Sequence, residues 1–481
     1  MNILLASSEV HPFSKTGGLA DMVGALGKAL ARAGNEVRII TPLYCGIREK
    51  FPAIKREDWQ FDLPLGDSRV QGGLFSLTLE KNLTVCFIEQ PFFYERAGLY
   101  LENDLSYADN AARFIFFSKC VVNLARYSAW RPEIVHVHDW QVGLVPAMIQ
   151  QQSREGWGNA PQTCLTIHNL AYQGVFAPEA FALTNLAEDF FTVEGAEFYK
   201  QLNCLKAGIA FADAVTTVSP RYAREITTEL YGCGLDGFLR KRQNKLFGIL
   251  NGVDYDEWNT THNKFLAKPY SATSLAGKAA DKLALQKEMG LPLKKNVPLF
   301  GTISRLAEQK GVDIELGALE EMLSADIQFV LLGSGSPAYE RGYQELANRF
   351  PGQVAVKIGY NEGLSHRIEA GCDFYLMPSH FEPCGLNQMY SLRYGTIPIV
   401  RATGGLDDSV IDYAQDTTRA NGIKFQEYSA RALAKAVRKA LAIYQSPELL
   451  LRYRRNAMRA DFSWDQTVEE FVKIYELISQ I

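Results

Sequence analysis

Lys15-Thr16-Gly17-Gly18-Leu19-Ala20-Asp21 sets one cation beside two adjacent glycines. Bare backbone lets a ligand approach closely, and the N–H groups at the start of a following helix attract an anion. The stretch is neither G-x-x-x-x-G-K-[ST] nor G-x-G-x-x-G. Alone, it fits an anion cradle or a plain glycine turn with a solvated lysine. Arg305 and Lys310 lie together in Ser304-Arg305-Leu306-Ala307-Glu308-Gln309-Lys310-Gly311. A bidentate guanidinium and a point-charge ammonium can share a diphosphate. In His380-Phe381-Glu382-Pro383-Cys384-Gly385-Leu386-Asn387, the proline keeps Glu382 out of helical geometry. Glu382 is therefore expected over a ligand that the amides of Cys384, Gly385 and Leu386 face. Cys384 is read as a packing residue with a reactive, exposed thiol rather than a nucleophile. Thr403-Gly404-Gly405-Leu406 repeats the glycine pair, and Asp139 and His168 each close an apolar run.

Metal chemistry has two weaker signals. His136 and His138 form H-x-H, but no third ligand is near, and zinc needs three or four. Asp254-Tyr255-Asp256 has D-x-D spacing, which arises often by chance. The three cations already supply the charge a metal would bring, so no metal and no cofactor is expected.

The elements that must position these residues alternate. Ile3–Ala6 is short enough for a buried strand. Leu19, Met22, Val23, Leu26, Leu30 and Ala33 then recur at helical spacing, and Gly34-Asn35 stops the helix. Lys15, Gly17 and Gly18 thus fall in a strand-to-helix turn, at the carboxyl edge where open α/β sheets bind ligands. Further strands are expected at 36–40, 83–88, 134–138, 163–167 and 214–219, with a helix over Asn110–Tyr127. Residues 50–80 read as a hairpin insertion, and 91–96 as an aromatic loop. From Val297 onward strands and helices alternate through Val400, which demands a parallel sheet with right-handed crossovers. Residues 260–296 are loosely patterned around one helix, Lys278–Met289. The last segment is an amphipathic helix with Val468, Phe471, Val472, Tyr475 and Leu477 apolar.

The 481 residues suffice for two large domains. A net charge of −4 lends no support to nucleic acid or an acidic membrane as partner. No apolar run reaches the ~18 residues of a membrane span, and no basic-then-apolar leader opens the chain. The eight cysteines are scattered without C-x-x-C, which suits reduced thiols in the cytoplasm.

Lys15–Asp21 after a short strand, H-D-W at 138–140, H-N-L-A-Y-Q-G at 168–174 and S-R-L-x-x-Q-K-G at 304–311 resemble bacterial glycogen synthases and plant-type starch synthases. The resemblance spans nearly the whole chain and is poorest at 50–80 and 260–290. It implies an α/β chain of GT-B type: two Rossmann-like domains, 1–243 and 244–460, with a deep cleft between them. The helix 461–481 would cross back to complete the first domain. It also implies a retaining transfer of glucose from ADP-glucose to the nonreducing end of an α-1,4-glucan.

On that resemblance Lys15, Gly17, Gly18, Arg305 and Lys310 hold the departing diphosphate. Glu382 and Asn251 hold the glucose, and Asp139 and His168 shape the face where positive charge develops. Tyr360 contacts the base, with Thr403 and the 384–386 backbone beside the donor. Tyr94 and Asn169 lie near the acceptor glucan, Tyr94 through the stacking of a sugar on an exposed ring. Many related transferases carry E-x7-E; here the second position is Tyr390, so only Glu382 carries over. Front-face attack is the family's favoured course, and double displacement stays open. So do ADP against UDP, glycogen against starch, and oligomeric state. The rival readings are a UDP-glucose-dependent transferase, a two-domain nucleotide-sugar epimerase and a noncatalytic glucan-binding protein.

Overall fold

A computed structural model describes residues 1–103 and 105–480. The chain divides into two compact units. The first comprises Met1–Val218, Ala223–Gly252 and Trp464–Ile481; the second comprises Ser219–Tyr222 and Val253–Ser463. The chain therefore leaves the first unit after Gly252, not near 243, and returns before Trp464 rather than Asp461. The shift has a simple cause. Leu246–Gly248 pairs in parallel with Ala214–Thr217 and so ends the first sheet, not the second.

That first sheet has nine strands, in the order Leu246–Gly248, Ala214–Thr217, Gln162–Ile167, Ile134–His138, Asn2–Ala6, Glu36–Pro42, Leu83–Glu89, Ser68–Glu80, Lys55–Leu65. The first seven are parallel. The last two form the expected hairpin and add antiparallel. Ile3, Leu4 and Leu5 are fully buried, as a strand covered on both faces requires. From Asn2–Ala6 the chain first builds outward on one side and then returns to the other. The sheet's switch point is therefore where Asn2–Ala6 lies beside Ile134–His138, and ligands of open α/β sheets bind outside such a point.

The second sheet is wholly parallel, in the order Val354–Ile358, Gln328–Gly335, Leu299–Leu306, Phe374–Met377, Ile397–Arg401, Ile423–Phe425. Its switch point lies between Leu299–Leu306 and Phe374–Met377. Phe300, Phe329, Leu331, Phe374, Leu376 and Ile399 form the centre of its core. Each such side chain contributes roughly 1.5–3 kcal/mol on burial.

Three local expectations change. Residues Pro91–Tyr94 are a helical turn, not a loop, begun by proline and capped by Gln90, whose side chain accepts from the Phe93 amide at 3.1 Å. The alternation after Val297 includes a helix expected over Gly385–Arg393; it starts at Asn387, because Gly385 has φ +70° and cannot be helical. In the last helix, Trp464–Ile478, Val468, Phe471 and Tyr475 are buried, but Val472 is half-buried and Leu477 exposed. This helix packs on the helix Gly18–Arg32. No helix among the described residues is long and apolar enough to cross a membrane.

Candidate active site

In the first unit, the turn after Asn2–Ala6 is organised by a residue that no motif flagged. Glu9 is 3% exposed. Its carboxylate accepts from the Thr16 amide at 2.5 Å, the Thr16 hydroxyl at 2.6 Å, the Gly17 amide at 3.3 Å and the Tyr100 hydroxyl at 2.7 Å. An acid thus already engages part of the amide cradle. Gly17 itself has φ −159° and would meet no atom within 4 Å if it carried a Cβ. The fold has no steric need for glycine there; what glycine leaves is bare backbone. Lys15 pairs with Asp21 at 2.8 Å on the surface, a contact worth at most about 1 kcal/mol. Gly18 opens the helix.

Asp139 ends Ile134–His138 with φ +61°, a strained conformation for a residue other than glycine. Its Oδ1 accepts from the His168 amide at 2.7 Å, so the ends of two neighbouring strands are tied together. Burial pushes its carboxyl up to about 7, against the pull of the His168 and Asn169 amides. His168 Nε2 lies 3.2 Å from His138 Nδ1. Burial depresses His168 and His136 to about 3, and His138 well below its usual range, so all three imidazoles are neutral near pH 7. A neutral His168 can hydrogen-bond beside a developing cation without repelling it.

The H-x-H pair is a core feature: both rings are buried, and both His136 nitrogens are engaged, by Tyr475 Oη at 2.7 Å and Thr166 Oγ1 at 2.6 Å. Asn169 is half-buried and accepts from the Ala171 amide at 3.0 Å. Asn251 is 6% exposed, and its Oδ1 is buried with no hydrogen-bond partner. A buried acceptor left alone is costly and calls for a reason; a ligand hydroxyl would supply one.

Tyr94 does not offer the exposed face expected of it. It is fully buried, and its hydroxyl donates to the Arg113 carbonyl at 2.9 Å. Arg113, itself buried, holds the segment by donating to the Phe93 carbonyl at 2.7 Å. The aromatic turned to solvent in that turn is Phe92. Tyr94 is therefore a core residue and not a sugar platform.

In the second unit, the ends of the two central strands meet in an ion pair. Lys310 Nζ lies 2.6 Å from Glu382 Oε2, and the Ser379 hydroxyl donates to the same oxygen at 3.1 Å. Glu382 is 6% exposed, and Oε1 has no partner among the described residues. The backbone around it leaves no room for a side chain at Gly404 or Gly405. A Cβ on Gly404, at φ +45°, would stand 1.9 Å from the Glu382 carbonyl. Thr403, 1% exposed, precedes that glycine. Cys384 is 5% exposed, so the expected reactive exposure is absent while the packing role holds. The Cys384 and Gly385 carbonyls both accept from the Gln388 side chain, at 3.1 and 3.0 Å. Leu386 is half-buried.

Arg305 is exposed at the end of Leu299–Leu306, with no ion-pair partner among the described residues. Tyr360 is 78% exposed just beyond Val354–Ile358. Of the D-x-D pair, Asp254 accepts from the Asp256 amide at 2.9 Å, a local turn.

Comparison with known proteins gives the family. Residues 2–241 match the family model for the starch synthase catalytic domain, and residues 285–459 that for glycosyl transferases group 1. A glycogen synthase of Anaeromyxobacter sp. (strain Fw109-5) is 46% identical over 482 residues, covering 100% of both chains. One of Myxococcus xanthus (strain DK1622) is 46% identical over 479 residues, covering 99% of each. Among solved structures, the catalytic domain of starch synthase IV from Arabidopsis thaliana, bound to ADP and acarbose, superposes with a TM-score of 0.90. It is 34% identical and covers 100% of this chain and 99% of its own. Sucrose-phosphate synthase from Thermosynechococcus elongatus shares the fold at a TM-score of 0.60 and 18% identity, covering 99% and 98%. The chain is a glycosyltransferase of GT-B fold and belongs to the glycogen and starch synthase family.

Proposed function

We propose that this chain transfers glucose from ADP-glucose to the nonreducing end of an α-1,4-glucan, with retention at the anomeric carbon. The observation that carries the reading is end-to-end identity of 46% with glycogen synthases; the ADP and acarbose of the solved starch synthase support the donor and the glucan.

Cleaving the anomeric C–O bond leaves its electron pair on the diphosphate oxygen and positive charge on the sugar. Arg305 leads in stabilising the diphosphate, because Lys15 and Lys310 already have carboxylate partners. Lys15, Lys310 and the backbone at Gly17–Gly18 add to it, as preorganised donors do in electrostatic catalysis. Glu382 Oε1 and Asn251 Oδ1 accept from glucose hydroxyls. Tyr360 stacks on the base, and Thr403 and the backbone of Cys384, Gly385 and Leu386 line the donor. Asp139 and neutral His168 sit by the sugar, with Asn169 on the acceptor side. The acceptor hydroxyl oxygen bonds to the anomeric carbon on the face the phosphate leaves, and its proton passes to a phosphate oxygen. None of the eight cysteines is disulfide-bonded, which suits work in the cytoplasm.

Nucleoside diphosphate release from ADP-glucose and from UDP-glucose, each with and without glycogen, tests the reading. ADP release that requires glycogen, and outpaces UDP release, is expected. Faster UDP release would make the donor UDP-glucose. Consumption of donor without acceptor would point to an epimerase, and no turnover to a binding protein.

A further inference from the structure

Away from the residues above, the second unit gathers a second set of metal-type ligands. Glu257, Glu362 and His366 each present one ligand atom, and these atoms lie within 4.8 Å of one another. Glu362 and His366 are one turn apart on the helix Glu362–Gly371, so they share a face. Glu257 comes from the segment that opens the second unit after Gly252. Both glutamates are exposed, whereas His366 is 1% exposed.

The imidazole is the independent sign. His366 Nδ1 lies 2.8 Å from the Tyr394 hydroxyl, and Nε2 is buried with no hydrogen-bond partner. The Asn263 amide nitrogen donates to the Tyr394 oxygen at 2.8 Å and stands 3.1 Å from His366 Nδ1. A metal on Nε2 requires the tautomer in which Nδ1–H donates to the Tyr394 oxygen, a contact that orients the ring. The ring is held flat against Trp258, with centroids 4.1 Å apart and planes at 21°. Trp258 in turn lies on Tyr390 at 3.7 Å and 4°. One ligand is thus held in place by its neighbours, and the two carboxylates lie at the surface. Ligand atoms around a tetrahedral zinc stand roughly 3.5 Å apart, from bonds of about 2.0–2.2 Å. Rotation of exposed glutamate side chains closes the difference from 4.8 Å.

We propose that Glu257, Glu362 and His366 form a site for a divalent cation of zinc type, which ties the segment opening the second unit to the helix Glu362–Gly371. One imidazole and two carboxylates suit zinc better than magnesium or calcium, which take oxygen ligands. The site lies on none of the residues assigned to the reaction, so its ion acts on stability and not on the chemical step.

The test is zinc titration of the full chain by calorimetry, after chelation and in a Cys45→Ser/Cys233→Ser background. That background removes the two exposed thiols. One zinc per chain is expected, with a rise in melting temperature. Glu257→Gln and Glu362→Gln should each weaken binding at least tenfold and abolish the rise. Both positions are exposed, so the variants should fold, and unchanged glucan synthesis would verify it. Cobalt gives a second readout: its visible bands should appear with the parent chain and vanish with Glu362→Gln. Zinc affinity that is the same in the parent and both glutamine variants would overturn the proposal, as would failure to bind zinc below millimolar concentrations.

Discussion

Lys310 is the principal partner of a carboxylate that is 6% exposed. Breaking a buried pair by removing one partner costs about 3–5 kcal/mol, because a charge is left uncompensated. Lys310→Ala should therefore disturb the Glu382 side chain as well as remove a cation. Glu382→Ala and Lys310→Ala should each lower kcat by roughly 10²-fold or more, the worth of one transition-state contact. Because the two side chains act as a unit, the double variant should fall little below the worse single one. Losses that multiply in steady-state kinetics would mean the two act independently. Lys15→Ala differs: its partner Asp21 is on the surface, so the fold should stand while the donor KM rises. With positive charge supplied by Arg305, Lys15 and Lys310, excess EDTA should leave initial rates nearly unchanged. A loss of rate restored by Mg²⁺ or Mn²⁺ would instead return Asp254 and Asp256 to the mechanism. Little of this pairing is legible in sequence. Lys310 and Glu382 are both conspicuous, but they are 72 positions apart, and nothing local says that they touch. Glu9 is less visible still, a single acid after an apolar strand whose partners lie seven, eight and ninety-one positions away.

The strand ends of the first sheet carry a pH dependence of their own. In an unfolded chain, His136, His138 and His168 would take up protons below about pH 6.5. In the fold they stay neutral, His136 and His168 to about pH 3. Their contribution to stability is full above pH 6.5 and drains away as the pH falls toward 3, since the unfolded state binds more protons in that interval. Asp139 runs the other way: its carboxyl is raised to about 7, so it favours the fold at low pH and loses that contribution as the pH rises through 7. Three histidines against one aspartate predict a net loss for this cluster on acidification. His168→Asn should flatten the fall in urea midpoint between pH 7 and pH 5 relative to the parent chain. An unchanged slope would show that His168 titrates normally. The elements behind these groups were the most readable part of the chain. Ile134–His138 has the limits its apolar run announces, because a strand covered on both faces tolerates little else. The boundary expected at 243 falls short of Leu246–Gly248 because three residues carry no sign of which neighbour they pair with. Tyr94 was misjudged because its burial depends on Arg113, nineteen positions later.

Two units with separate cores make up the whole molecule, and the chain's last segment belongs to the first of them. In the helix Trp464–Ile478, Val468, Phe471, Ile474, Tyr475 and Ile478 are buried. The Tyr475 hydroxyl meets His136 Nδ1 at 2.7 Å, and the Phe471 ring lies 5.4 Å from the same imidazole. The Thr467 hydroxyl donates to the Leu250 carbonyl at 3.1 Å. The final helix is thus anchored both to the central sheet and to the segment where the chain leaves the first unit. Burial of the five side chains contributes on the order of 8–15 kcal/mol in total, at 1.5–3 kcal/mol each. That is as large as the entire stability of a typical domain, about 5–15 kcal/mol. Deleting residues 461–481 should accordingly do more than impair turnover. It would open an apolar seat on the helix Gly18–Arg32, strip His136 of a hydrogen bond, and loosen the strand that ends in Asp139. The shortened chain should aggregate or melt well below the parent. Any soluble fraction should retain donor binding, monitored by ADP titration, better than glucan synthesis, since Arg305, Lys310, Glu382 and Tyr360 all lie in the second unit. Tyr475→Phe isolates the hydrogen bond from the packing, and by removing one buried polar contact it should lower stability by about 1 kcal/mol while leaving the protein soluble. A truncated chain as soluble and as active as the full one would exclude the final helix from the working first unit.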